Sequence, residues 1–246
     1  MAKMKKIRDV VYGFVFFDEQ EQAIIDHPAF QRLRRIKQLS LTDMVYPGAT
    51  HTRFEHCVGV MQMASDMYDS IVRKEAAKEM LKDFSLTDEG VSRYRKIVRL
   101  AAQEAIPEEE KKRYEHEEYS IAMIKTAFKG LIEEHNVNNN FKISVGEVTA
   151  LLGDNTVKLK GVSLLWKELI SGQLDADRAD YLLRDSIHLG VNYGLYDRSR
   201  LVSCMTLART ETDAPVLAIE DGGWHIAESL VIARYQMFAQ VYFHND

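Results

Sequence analysis

The chain has 246 residues, of which 46% are hydrophobic and 28% charged, a composition typical of a globular protein with a sizeable core. A formal net charge of −5 argues against a wholly cationic nucleic-acid-binding protein. Two cysteines without a CxxC spacing, no signal-peptide pattern and no apolar run of ~20 residues predict a cytoplasmic protein without a membrane span.

The first forty residues predict one extended segment followed by two helices. Residues 10–17 are β-branched and aromatic, which predicts a short strand. Asp18 is expected to cap a helix that breaks before Pro28, because the residue before a proline avoids the α region. Residues 30–39 predict an amphipathic helix with a basic face.

The rest of the chain predicts mostly helices. After a loop at residues 40–52, apolar residues recur at spacings of three and four and predict one long helix over residues 54–81. Alternating segments at residues 203–210 and 214–221 predict a β-hairpin. Further helices are predicted at residues 86–102, 115–135, 144–153, 163–172, 175–190 and 224–244. The sequence therefore predicts an all-α fold, a single domain over residues 1–246 with a small β-hairpin decoration.

An acidic helix at residues 175–190 is the first candidate for a site. Helical spacing places Asp177, Tyr181, Asp185 and His188 on one face. A tyrosine and a histidine beside two acids favour a functional site over a solvated surface. The alternative is an exposed polar face on which Tyr181 is half-buried.

The segment "HTRFEHCVGV" is the second candidate, because His56 stands at the start of an apolar helix. One interpretation is a metal ligand that faces a carboxylate-rich centre. The other is a core histidine satisfied by a backbone carbonyl. Arg53 could bind phosphate through its planar guanidinium, or form a salt bridge to Glu55.

For two further features, the spacing of residues alone does not decide between a functional site and an ordinary solvated surface. His116 lies among glutamates in "YEHEEYS", so it is either a proton donor near an anionic substrate or a surface histidine. The basic residues of the segment at 30–39 either bind phosphates or are merely solvated.

Together, "IIDHPAFQRLRRIKQLSLTDMVYPGATHTRFEHCVGV", "YEHEEYS" and "LDADRADYLLRDSIHLGVNYG" closely resemble the HD-domain phosphohydrolases. Within that group the chain looks most like the deoxynucleoside triphosphate triphosphohydrolases (dNTPases), which include bacterial enzymes and the vertebrate enzyme that joins a SAM domain to an HD domain. The resemblance runs from about Lys5 to the C-terminus. It implies an all-α HD core that holds one or two metal ions.

The resemblance also implies a set of site residues. The metal ligands would be His56, first, and Asp177, last, with an adjacent His-Asp pair between them. His116 would act in catalysis beside Asp177, and this ligand set suits Mn, Fe, Zn, Ni or Mg. The residues expected to contact substrate, at the phosphates or the deoxyribose, are Gln38, Arg53, Arg178, Tyr181, Asp185 and, with a less defined role, His188.

Regulated members of the family bind an activating guanine nucleotide, and four positions here match that site: Lys5, Asp26, Gln31 and Arg34. The resemblance further implies a homo-oligomer, a dimer or tetramer, with no membrane partner. Nucleic acid is a possible partner that the acidic charge balance does not favour.

One departure from the family pattern concerns the metal. The His-Asp pair normally follows "RLAA", yet no His-Asp dipeptide occurs in the 246 residues. We expect that the sequence omits a segment between Ala102 and Gln103, and that its C-terminus is truncated. The alternative is a natural loss of the metal centre.

The function implied is metal-dependent hydrolysis of deoxynucleoside triphosphates to a deoxynucleoside and triphosphate. Two alternatives belong to other classes. One is a catalytically inactive nucleotide sensor or assembly module, and the other is a metal-dependent nuclease or phosphodiesterase.

Overall fold

The structure is a computed structural model that describes residues 4–103, 116–159, 161–211 and 213–243, with the backbone alone for residues 116–119. The α-helices, in chain order, are α1 (Glu19–Asp26), α2 (Pro28–Gln31), α3 (Arg53–Arg73), α4 (Glu75–Lys82), α5 (Asp88–Gln103), α6 (His116–Thr126), α7 (Lys129–Glu133), α8 (Asn138–Phe141), α9 (Val145–Leu151), α10 (Val162–Ser171), α11 (Ala176–Leu189), α12 (Arg198–Cys204) and α13 (Trp224–Met237). Two antiparallel two-stranded sheets accompany them: β1 (Lys5–Asp9) pairs with β2 (Gly13–Phe17), and β3 (Met205–Arg209) pairs with β4 (Pro215–Ile219). The predicted helical HD fold with a small hairpin is confirmed.

The core is built around α3, which packs against α5 and α11. Val60, Met63 and Met67 of α3 are fully buried, and buried residues lie on nearly every side of this helix. Because buried residues surround it, α3 forms the centre of the domain. Within the described residues, no helix combines the length and apolar content that a bilayer crossing requires.

Helices with local end signals lie where the sequence predicts them. Asp18 closes a capping box with Glu21 at the start of α1, as expected from its position before the apolar run. Asp175 caps α11 by accepting the backbone N–H of Arg178 at 2.8 Å. Gly190 ends α11 in the left-handed region, at φ 69°, which a glycine adopts without strain.

Other predicted elements are wrong in extent, because tertiary contacts outweigh local periodicity. The single helix predicted over residues 54–81 is divided at Lys74, whose backbone is extended. The Lys74 ammonium bonds to the Ser203 carbonyl and to Glu220, both at 2.7 Å, which holds the break in place. The segment at 115–135 is likewise divided, into α6 and α7.

The basic segment at residues 30–39 is not the amphipathic helix predicted. After α2, a short 3-10 turn spans Arg32–Arg35, and Ile36 is extended. Lys37 then forms an isolated antiparallel bridge with Thr52, and the Gln38 N–H donates to the His51 carbonyl at 3.0 Å. This pairing with the segment before α3 takes up backbone groups that a longer helix would have used.

Three elements were not predicted. Strand β1 precedes the predicted strand, and residues 10–12 form the turn between them, because the Asp9 carboxylate accepts the N–H groups of Val11 and Tyr12. Helices α8 and α12 lie in segments for which the sequence predicted no helix. The predicted terminal helix changes to a π-helical turn, Phe238–Tyr242, after α13.

Candidate functional site

His56 lies at the meeting point of two helix N-termini. It belongs to the first turn of α3 and is fully buried. Its Nε2 atom lies 2.9 Å from the Asp177 carboxylate, and its Nδ1 atom lies 2.9 Å from Asp180. Both aspartates come from the first turns of α11, so the partners of His56 are side-chain carboxylates rather than the backbone carbonyl of an ordinary core histidine.

Electrostatics at His56 favour the charged ring. Burial alone would lower the pKa of His56, but hydrogen bonds and Coulomb attraction from Asp177 and Asp180 outweigh it and raise the pKa to about 9. Burial would raise the pKa of Asp180, yet Arg184 and His56 hold it well below its usual range. His56 and Asp180 therefore stabilise each other in their charged forms.

A buried ion-pair network lies behind His56. The Arg184 guanidinium forms a two-pronged contact with Asp180, at 2.8 and 2.9 Å. Its third nitrogen donates to Asp9 at 2.8 Å. Asp180 and Arg184 are completely buried, so the network is shielded from water.

A second cluster lies further along α11. Asp185 is buried, and its two oxygens bond to the His51 ring at 2.7 Å and to the Tyr242 hydroxyl at 2.6 Å. The His188 ring stacks on His51 with centroids 4.4 Å apart, and its Nε2 atom lies 3.4 Å from Glu55. Two histidine–carboxylate clusters therefore lie on the same pair of segments.

The donors at the first cluster fit a divalent ion in part. An imidazole nitrogen and a carboxylate oxygen suit a first-row transition metal or Mg²⁺, and ligating histidines usually donate their second nitrogen to a carboxylate, as His56 does to Asp180. Within the described ranges, however, no group of three or more potential ligands that could hold a metal ion is present. His56 and Asp177 thus supply half of the four-ligand set that the resemblance implies.

Three other predicted substrate residues lie near these clusters, each in a different setting. Tyr181 is buried and packs edge-on against Tyr242, with centroids 6.2 Å apart. Gln38 is joined to the His51 backbone, and its Oε1 atom is buried without a hydrogen-bond partner in the described part of the chain. Arg53 is half-buried in the first turn of α3.

Two other predicted residues lie near the N-termini of α11 and α6. Arg178 folds back on the start of its own helix, where its guanidinium bonds to Asp175 at 2.6 Å and to the Gly172 carbonyl. The His116 side chain lies outside the described residues, although its backbone begins α6.

The four positions matched to an activating nucleotide form two adjacent pairs on the surface. Lys5 lies 3.5 Å from Asp26. The Arg34 Nε donates to Gln31 at 2.9 Å, and its guanidinium lies 3.5 Å from the centre of the Phe54 ring. Phe54 is the second residue of α3, so this surface reaches the helix that carries His56.

Sequence reasoning missed four residues of the clusters as site residues: His51, Asp180, Arg184 and Tyr242. The spacing of four between Asp180 and Arg184 was a usable signal, since such pairs meet on one helix face. Nothing local in the sequence indicated that Tyr242 meets Asp185, because the two are 57 residues apart.

Comparisons with known proteins support the same family assignment. Residues 196–245 match the family described as the HD associated region. The chain is 36% identical over 242 residues to an uncharacterized protein of Methanocaldococcus jannaschii, covering 98% of this chain and 46% of that protein. It is 28% identical to the human deoxynucleoside triphosphate triphosphohydrolase SAMHD1, covering 87% of this chain and 38% of the enzyme.

A solved structure agrees with these matches. A phosphohydrolase from Bacteroides thetaiotaomicron superposes with a TM-score of 0.74 at 29% identity, covering 99% of this chain and 55% of that one. The chain therefore spans between 38% and 55% of the length of these three proteins. Its fold and its HD-associated region relate the chain to the HD-domain phosphohydrolases and to the SAMHD1-like dNTPases.

Proposed function

We propose that this chain is the core of a metal-dependent phosphohydrolase that cleaves deoxynucleoside triphosphates into a deoxynucleoside and triphosphate. The contact between His56 and Asp177 carries the proposal: their donor atoms lie 2.9 Å apart although 121 residues separate them. These two residues match the first and last metal ligands of the family. The relationship to SAMHD1 supports the choice of substrate.

A divalent ion bound at His56 and Asp177 would lower the pKa of a coordinated water and screen the phosphate charge. Arg53 and Arg178 would hold the polyphosphate through charge-assisted hydrogen bonds. Arg178 would first exchange its contacts with Asp175 and the Gly172 carbonyl for phosphate oxygens. His116 would donate a proton to the departing 5′-oxygen of the nucleoside.

Selection of deoxyribose would depend on Gln38, Tyr181 and Asp185. The unpartnered Oε1 of Gln38 is an acceptor ready for a sugar hydroxyl. Each carboxylate oxygen of Asp185 has a second lone pair beyond its bond to His51 or Tyr242, so it can accept the 3′-hydroxyl as well. The Tyr181 ring would crowd the 2′ position and exclude ribose.

The proposal extends to regulation and assembly. A guanine nucleotide would activate the protein by binding near Lys5, Asp26, Gln31 and Arg34, where the Lys5–Asp26 pair is exposed and therefore exchangeable. The active form would be a cytoplasmic dimer or tetramer.

A second candidate is a nucleotide sensor that binds without hydrolysis. It is favoured by one specific observation: the 246 residues contain no His-Asp dipeptide. Two ligands alone would hold a metal ion weakly, so the pocket would bind a nucleotide without activating water.

One assay distinguishes the candidates. The purified full-length protein is incubated with Mn²⁺ and each dNTP, and triphosphate and nucleoside are separated by chromatography. We expect their release in equal amounts, and its loss in both His56→Ala and Asp177→Ala. The matched control is His225→Ala, since the His225 side chain is 94% exposed and also pairs with a carboxylate, Glu228.

The outcomes are distinct. Near-normal rates in folded His56→Ala or Asp177→Ala would reject the assigned site. Saturable dNTP binding without product would replace the enzyme by the sensor. Shortening of a single-stranded DNA instead of dNTP cleavage would indicate a nuclease.

A further inference from the structure

We infer that Asp9, Asp180 and Arg184 are positioning residues, which together hold the His56 imidazole so that its Nε2 atom faces Asp177. Because a metal ligand at His56 is part of the proposed function, this assignment rests on that function. It concerns the orientation of the ring, which can be measured whether or not the chain hydrolyses a nucleotide.

The contacts form one continuous path across three elements. Asp180 bonds to the His56 Nδ1 atom at 2.9 Å and accepts two hydrogen bonds from Arg184. Arg184 in turn donates to Asp9 at 2.8 Å. The path therefore runs from α3 through α11 to the end of β1.

The far end of this path is fixed to the backbone. The second Asp9 oxygen accepts the N–H groups of Val11 and Tyr12, at 2.8 and 3.1 Å, in the turn between β1 and β2. Asp9 therefore cannot move without disrupting the hairpin turn. Arg184 is completely buried, and Asp9 and Asp180 hold it from two sides.

Gly59 makes room for the network on α3. A Cβ atom placed there would lie 2.1 Å from both the Arg184 Nη2 and the Asp180 Oδ1. No side chain can occupy that space unless the ion pair moves away. Gly59 lies one turn after His56, so the ion pair packs directly against the helix that it orients.

The chemistry of the carboxylate explains the direction of the ring. An ionised Asp180 only accepts hydrogen bonds, so the His56 nitrogen facing it must carry a proton. Asp177 accepts from Nε2 in the same way, so the ring is protonated on both nitrogens in this structure. An ion bound beside Asp177 would take the place of the Nε2 proton, whereas Asp180 would keep the proton on Nδ1. An amide at position 180 could donate as well as accept, and the ring would lose its unique orientation.

The first test measures Mn²⁺ binding to the full chain by electron paramagnetic resonance. Because carboxylates that orient ligating histidines typically change metal affinity by about 10- to 100-fold, we expect a loss of that order in Asp180→Asn and a smaller one in Asp9→Asn. The matched control is Asp69→Asn, which breaks another two-pronged contact, with Arg95 at 2.7 and 2.8 Å, in a part of α3 that does not contact His56. The control should bind Mn²⁺ like the wild type.

The second test needs no metal. In ¹⁵N-histidine spectra, the Nδ1 proton of His56, assigned with His56→Gln, should be shifted downfield and protected from exchange in the wild type and in Asp69→Asn. It should shift upfield or vanish in Asp180→Asn and Gly59→Ala. Asp9→Asn keeps a side-chain oxygen for the hairpin turn, so it remains informative if Asp180→Asn fails to fold.

Failure of the assignment differs from failure of the proposed function. If the wild type binds Mn²⁺ but releases no triphosphate, the function fails and both tests still apply. If the wild type binds no Mn²⁺, the spectra alone decide. An unchanged Nδ1 signal in folded Asp9→Asn and Gly59→Ala, or unchanged Mn²⁺ affinity in folded Asp180→Asn, would overturn the positioning role.

Discussion

Acidification should remove a defined part of the stability of this fold by protonating Glu21. This side chain is 2% exposed, and Arg99 binds it through two hydrogen bonds, at 2.6 and 2.8 Å. Burial alone would raise the pKa of Glu21, but Arg99 and Lys96 outweigh it and lower the pKa from 4.5 to about 2. A difference of that size corresponds to about 3 kcal/mol between the ionised and protonated forms.

The direction of the pH dependence follows from the lowered pKa of Glu21. The unfolded chain takes up the Glu21 proton near pH 4.5, whereas the folded chain takes it up only near pH 2. The contribution is therefore fully present above pH 4.5, declines as the pH falls, and is gone below about pH 2.

Urea unfolding of the wild type and of Glu21→Gln, at several pH values between 7 and 3, measures this contribution. The variant should be less stable at pH 7, and the difference should shrink steadily below pH 4.5. The control is Glu228→Gln, which changes an exposed glutamate and should leave the pH dependence as in the wild type. A difference between wild type and Glu21→Gln that stays constant down to pH 3 would refute the reasoning.

Three further predictions test the candidate site. Tyr242→Phe removes the 2.6 Å donor to the buried Asp185, and urea unfolding should show a loss of about 1–3 kcal/mol; an unchanged midpoint would contradict this. Gln38→Leu should raise KM for dNTPs but not for dideoxynucleotides, which lack the 3′-hydroxyl; equal effects on both would exclude a sugar contact. Dialysis against EDTA should stop triphosphate release and Mn²⁺ should restore it, whereas release that persists in the chelator would exclude the ion.

Local chemistry explains which parts of the fold could be predicted. Asp18, Asp175 and Gly190 satisfy or release backbone groups at helix ends, and these signals need no knowledge of the rest of the chain. The break at Lys74 has no such signal, since it depends on Ser203 and Glu220 about 130 residues or more away. A periodic pattern cannot reveal a contact that forms only after the domain is assembled.

The same distinction applies to the site. Residue type and position raised His56 as a possible metal ligand, whereas the resemblance supplied Asp177. Both assignments stay predictions, and the structure shows that the two side chains meet. Grouping α11 by one face linked Asp177 to Asp185 but omitted Asp180. The spacing of three between Asp177 and Asp180 also places them on one face, so both carboxylates reach His56.

The energetics of the buried network favour a functional origin. Replacing a buried ion pair by well-packed apolar side chains is often neutral or stabilising, so stability alone does not explain Asp9, Asp180 and Arg184. Asp180 bonds to His56, and Asp180 and Arg184 pack against Gly59, where only a missing side chain gives them room. Charged side chains are not normally buried in a core, and an exception that does not add stability is expected at a functional site. The buried charges beside His56 are therefore best explained by the group that they orient, namely the imidazole that faces Asp177.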